Sequence, residues 1–190
     1  MSKLILILLF AAVNTGLMAV PISAVDIPVH ISPMNKWIIV DKDNWKTPQV
    51  GVSIRKEDGT ILIQENISVS KKYNLKNLPD GNYVLDLEDG QQIRTQSLQV
   101  DGDILYSKDI STIYKPHLVI NQDYINMNLM TQGQKADISI QNAESNTVFS
   151  EKISNEVSAT RRYNIKDLPA GNYIFKVSLN GQEFIKSFTK

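Results

Sequence analysis

Apolar and polar residues alternate along most of this chain, and the alternation predicts strands. Val50, Val52 and Ile54 are separated by Gly51, Ser53 and Arg55, the period-2 pattern of a half-buried strand. Ala136, Ile138 and Ile140 repeat it. Tyr83, Leu85 and Leu87 share one face, as do Tyr173, Phe175, Val177 and Leu179, with Ile174 turned outward. Asp58-Gly59 is expected to supply the positive φ values of a tight hairpin before Thr60-Ile61-Leu62-Ile63. Beyond the first two dozen residues no stretch sustains an apolar period of 3.6, so long helices are not expected.

The pattern is written twice. Tyr73-Asn74-Leu75-Lys76-Asn77-Leu78-Pro79-Asp80-Gly81-Asn82-Tyr83 returns as Tyr163-Asn164-Ile165-Lys166-Asp167-Leu168-Pro169-Ala170-Gly171-Asn172-Tyr173, with eight of eleven positions identical at an offset of 90. Residues 50–54 match 136–140 at an offset of 86, a difference that a change of loop length produces. A period this long exceeds that of solenoid repeats and points to two whole domains. The boundary is placed near residues 109–114, because Ser107-Lys108-Asp109-Ile110-Ser111-Thr112 is polar and unpatterned.

The repeated Leu-Pro-x-Gly-x-Tyr has a mechanical reading. In Ig-like and fibronectin-type sandwiches a Tyr near the start of strand F returns its hydroxyl to the backbone upstream and pins the crossover between sheets. Tyr83 and Tyr173 are then corner residues, Pro79 and Pro169 stiffen the turn, and Gly81 and Gly171 take φ values closed to other residues. The expected fold is all-β: two tandem Ig-like or fibronectin-type β-sandwiches over residues 25–110 and 112–190, each of about seven strands.

An address precedes them. Lys3 is followed by ten apolar residues, Leu-Ile-Leu-Ile-Leu-Leu-Phe-Ala-Ala-Val, over positions 4–13. That run is too short for a bilayer, which needs about 20 residues, and it suits a signal peptide. Ile22-Ser23-Ala24 offers cleavage before Val25, with Ala19 as a second candidate, so residues 1–24 are assigned to the signal peptide. The mature chain is expected to be exported, to the periplasm, the outer surface or the medium, without a transmembrane segment.

Residues 136–190 resemble the C-terminal sorting domain of the type IX secretion system. The resemblance rests on Ile138-Ser139-Ile140, on Leu168-Pro169-Ala170-Gly171-Asn172-Tyr173, and on the basic final strand Phe184-Ile185-Lys186-Ser187-Phe188-Thr189-Lys190. The same parts resemble small secreted Ig-like sandwich proteins of unknown function from Gram-negative bacteria, whose mature chains open on a strand such as Asp26-Ile27-Pro28-Val29. Lys115-Pro116-His117 stands where sorting domains commonly open with Pro-Asn-Pro.

Composition narrows the chemistry. The 190 residues include 20 Lys and Arg against 20 Asp and Glu, a balance unlike that of a basic nucleic-acid binder. With no Cys there is no disulfide, thiolate metal site or thiol nucleophile. The two His, His30 and His117, each follow a Pro near the first strand of a repeat, as Pro28-Val29-His30 and Pro116-His117, and read as structural. Asp86 and Glu88 share one side of a strand, as paired acid and base would, but Lys176 and Ser178 replace them in the second copy, and a solvated face is the simpler reading. Asp41-Lys42-Asp43-Asn44 reads as a turn, because it lacks the Gly and terminal Glu of an EF-hand loop, and Asp101-Gly102-Asp103 reads as a turn first and a weak calcium candidate second. Trp37 is expected in the core. Trp45, in the loop Asp43-Asn44-Trp45-Lys46-Thr47-Pro48, either packs on its own sandwich or contacts a partner. No catalytic, cofactor-binding or metal residue is assigned. The expected role is a secreted or surface module, not an enzyme, that serves adhesion, assembly or binding to a protein or glycan. The alternatives are a sorting role for 112–190 and, third, a hydrolase.

Overall fold

A computed structural model describes residues 29–190; the expected signal peptide and the start of the Asp26-Ile27-Pro28-Val29 strand lie outside them. The first repeat folds into two facing antiparallel sheets. One holds β1 (Val29–Ser32), β2 (Trp37–Val40) and β5 (Lys71–Asn74) in the order β1-β2-β5. The other holds β3 (Val50–Lys56), β4 (Ile61–Ile67), β6 (Gly81–Glu88), β7 (Gln92–Asp101) and β8 (Ile104–Tyr114) in the order β4-β3-β6-β7-β8. The second repeat builds a three-stranded sheet from β9 (His117–Ile120), β10 (Tyr124–Met130) and β13 (Ser158–Asn164), ordered β13-β10-β9. Facing it are β11 (Ala136–Asn142), β12 (Thr147–Ile153), β14 (Asn172–Leu179) and β15 (Gln182–Thr189), ordered β12-β11-β14-β15. The chain is all-β, two Ig-like sandwiches in tandem.

Alternation sets each core. On β3 and β6 the inward residues Val50, Val52, Ile54, Tyr83, Leu85 and Leu87 are buried and meet Ile38, Val40, Tyr73 and Leu75 of the opposite side. In the second sandwich Ile138, Ile140, Phe175, Val177 and Leu179 meet Ile125, Met127, Leu129 and Tyr163. The two clusters share no residue. The repeat extends to irregularities: the β3–β4 register shifts between Ile54 and Arg55, and the β11–β12 register shifts between Ile140 and Gln141. An extra residue in one strand bends it and raises its twist.

Three local expectations change. In the β3–β4 hairpin only Gly59 has positive φ, +89°; Asp58 instead accepts a hydrogen bond from the Thr60 amide at 2.8 Å. Trp37 is not in the core. Register places Ile38 and Val40 inward, which turns Trp37 to the outer face, where the Lys72 ammonium lies 4.2 Å from its ring centroid. The polar segment 107–112 lies within β8, whose residues pair with β7 from Asp101–Ile104 to Gln92–Tyr114. The first sheet therefore runs to Tyr114, the last residue of the 109–114 stretch in which the boundary is expected.

Among the described residues β8 has no counterpart in the second repeat, and this gives the first repeat eight strands to the second's seven. It closes the side of the first sandwich. Leu105, 1% exposed, enters the core, and its amide donates to the Pro33 carbonyl at 3.1 Å in the β1–β2 turn. At the other end of the strand Ile113 packs against the second core.

Candidate functional site

The corner residues are built alike. Tyr83 donates its hydroxyl to the Pro79 carbonyl at 2.7 Å, and Tyr173 donates to the Pro169 carbonyl at 2.8 Å. Both rings are buried. Burial, and then the charge of Asp80, raise the Tyr83 hydroxyl above the ordinary tyrosine pKa. The glycines differ. Gly81 has φ +151°, a region other residues rarely adopt. Gly171 has no positive φ. It exchanges reciprocal backbone hydrogen bonds with Lys190, at 3.1 and 2.8 Å. A Cβ there would meet the Tyr173 ring at 3.8 Å, an ordinary contact, so the second corner does not need glycine for conformational reasons.

Trp45, expected either to pack or to meet a partner, is 5% exposed and belongs to the first core. It ends a single 3-10 turn, Lys42–Asn44, that Asp41 caps by accepting from the Asp43 amide at 3.0 Å. Its backbone carbonyl accepts from the Lys42 ammonium at 3.2 Å, and its indole N–H has no partner among the described residues. Little ring remains to offer a partner. Asp86 is held by Arg55 at 2.9 Å and by the Thr95 hydroxyl at 2.7 Å, while Glu88 pairs with Lys115 at 2.6 Å. Each carboxylate is engaged with a different cation. His30 and His117 are exposed on β1 and β9, in different sandwiches. Among the described residues no three His, Asp or Glu side chains converge on a point where a metal could sit.

The concavity with the clearest chemistry lies where the repeats meet. The inward positions of β7 run Val100, Leu98, Gln96, Arg94, Gln92, and they turn polar past Leu98. Gln96 is buried and donates to the Ser107 hydroxyl on β8. Arg94 lies beyond the core and faces a cleft of about 500 Å³, whose far wall includes Met130, Thr131, Gln132 and Asn180 of the second repeat. The Arg94 Nε–H is buried without a hydrogen-bond partner among the described residues, which is costly for a charged group. Arg94 also makes no ion pair with any described residue. A guanidinium held this way, among amides and hydroxyls, can take a carboxylate through two parallel hydrogen bonds. Sequence reading missed it, although the signal was there: polar residues at 92, 94 and 96 in inward register ahead of Leu98 and Val100.

The model for a domain of unknown function, DUF3244, matches residues 95–190, half of the chain. This chain belongs to the DUF3244 family. The match takes in most of β7, all of β8 and the whole second repeat. Among solved structures it is similar to a DUF3244 protein from Bacteroides vulgatus with an immunoglobulin-like β-sandwich fold, at 18% identity over 40% of this chain and 83% of that one, with a TM-score of 0.36. A similarity to the BSP domain of a biofilm-associated protein has 12% identity and a TM-score of 0.27; it covers 82% of this chain and 27% of that one. The chicken interferon gamma receptor alpha chain is similar at 9% identity over 85% of this chain and 95% of that chain, with a TM-score of 0.30. No curated protein matches. Among the described residues of this DUF3244 chain no helix is long and apolar enough to cross a membrane.

Proposed function

We propose that this chain is an exported surface module that binds a partner and catalyses no reaction, with residues 1–24 as its signal peptide. Its two sandwiches are two domains, 25–110 and 112–190, with the first sheet continued by β8 as far as Tyr114. The observation that carries the reading is Arg94. Its unpaired guanidinium faces a cleft whose other polar groups are amides and hydroxyls, suited to holding a protein or glycan group that bears a carboxylate. Among the described residues no His, Asp or Glu lines that cleft to move a proton.

The experiment is a binding screen of the full mature chain against immobilised acidic and neutral glycans and carboxylate-bearing peptides, repeated with Arg94→Gln. Retention of acidic ligands that falls by about tenfold in Arg94→Gln, with the melting temperature unchanged, supports the reading; that loss is the worth of one charge-assisted pair. Equal retention by both proteins overturns it.

A further inference from the structure

We infer that β15 is a docking edge for an extended segment of a partner polypeptide, which pairs with it antiparallel as β8 pairs with β7. The inference is independent of the Arg94 cleft and stands or falls separately.

The two repeats supply the comparison. With the offset of 90, Gln92, Arg94, Gln96 and Leu98 of β7 correspond to Gln182, Phe184, Lys186 and Phe188 of β15. In the first sheet the far edge of β7 is covered by β8. In the second sheet β15 pairs with β14 alone among the described residues.

The direction of the free backbone groups follows from the ladder. Gly171 and Lys190 exchange both backbone hydrogen bonds, and antiparallel partners alternate between bonded and non-bonded pairs. The unbroken β14–β15 register then makes Tyr173–Phe188, Phe175–Lys186 and Val177–Phe184 the bonded pairs. The N–H and C=O groups of Glu183, Ile185, Ser187 and Thr189 point away from β14. The corresponding positions Ile93, Thr95 and Gln99 on β7 are opposite Ile113, Ser111 and Tyr106 of β8.

The side chains say what kind of strand fits. Phe184 and Phe188 are only partly buried against the second core, as expected where no described strand covers the edge. Between them on the same face stands Lys186, exposed and without an ion-pair partner among the described residues; its neighbour Glu183 pairs with Lys176 instead. Its counterpart Gln96 is buried, and its amide is satisfied by Ser107 of the covering strand. A segment with an acidic residue opposite Lys186 and apolar residues two positions to either side would satisfy the cation and cover both rings. Room exists for it. A groove of about 520 Å³ runs between β15 and the start of β9, with His117, Leu118, Phe184 and Lys186 among its lining and Ile93 of the first sheet at one end. In the first sandwich the matching gap, between β7 and β1, is the one β8 fills. Main-chain pairing gives such docking its affinity, and the alternate side chains give it specificity.

The probe is a synthetic peptide, blocked at both ends, of alternating Val and Thr with Asp replacing the central Val, titrated into the full mature chain. Amide exchange followed by NMR is expected to slow at Glu183, Ile185 and Ser187 on binding. Replacing the peptide's Asp by Lys is expected to weaken binding about fivefold, and Lys186→Glu to reverse that preference, as cross-strand charge pairing requires. Ile185→Pro removes one outward N–H from an edge strand, where proline is tolerated, and is expected to weaken binding about tenfold. Lys186→Glu alters an exposed side chain, so the charge reversal reads out even where the proline variant fails to fold. Unchanged exchange at those three amides, or a charge preference that Lys186→Glu leaves in place, overturns the inference. So does their protection without peptide in a concentration-dependent dimer, which would give the edge to a second copy of this chain.

Discussion

Replacing Tyr83 by Phe removes one oxygen and leaves the ring in place, so its effect isolates a single hydrogen bond. The hydroxyl is 2.7 Å from the Pro79 carbonyl, and the residue is 3% exposed. A net loss of about 1 kcal/mol is expected, rising toward 2 where water cannot reach the stranded carbonyl. For a domain of this size that is a drop of about 5 °C in melting temperature. The assay is selective because both tryptophans, Trp37 and Trp45, belong to the first repeat, so indole fluorescence follows that sandwich alone. Tyr83→Phe should shift the fluorescence transition. Tyr173→Phe, which removes the 2.8 Å bond to Pro169, should leave fluorescence in place and shift only the part of the circular-dichroism transition that fluorescence does not follow. A pH series adds a check of sign. The folded-state pKa of Tyr83 is raised, so its contribution is fully present below the ordinary value near 10 and is lost as pH climbs through the folded value. The gap between wild type and Tyr83→Phe should therefore narrow in strong alkali. Unmoved midpoints in both variants would show that the hydroxyls do not pin the corners. A fluorescence shift in Tyr173→Phe as large as that in Tyr83→Phe would show that the two sandwiches unfold as one.

Two further outcomes are expected. Leu105→Ala, at the one point where β8 enters the core, should cost about 3 kcal/mol by fluorescence-monitored denaturation, and a loss below about 1 kcal/mol would mean that β8 adds little to the first sandwich. Mass spectrometry of protein from its native host should find a mature N-terminus at or near Val25, and an intact Met1 there would remove the signal peptide.

Strands whose two faces differ were legible from the sequence. β3, β6, β11 and β14 each pack one face on a core, so apolar residues fall at every second position and the period shows. β8 gave no such signal. Outside Leu105 most of its side chains are exposed, and Ser107-Lys108-Asp109 carries no alternation; its conformation comes from backbone pairing with β7, which leaves no mark on composition. Trp37 misled for a related reason. An aromatic beside Ile38-Ile39-Val40 looks like core until register decides which of four consecutive apolar residues turn in. Arg94 was readable in principle as a polar inward position, yet its significance depends on the second repeat standing across the cleft from it.

β8 also decides how the molecule answers a pull. A tension carried from the second repeat into the first enters at Tyr114, the end where β8 pairs with Gln92, and passes at once onto the edge of a five-stranded sheet. Ladder hydrogen bonds lie perpendicular to the strands, so a pull directed across them, away from β7, opens the ladder from its last rung, one pair after another, whereas a pull along the strand shears all rungs together. Peeling in this way needs little force at any moment once Ile113 has left the second core. It stops being easy at Leu105, where a buried side chain must leave the core. Under a pull across the strands β8 is thus a short extensible strap between the two repeats, with a stop at Leu105.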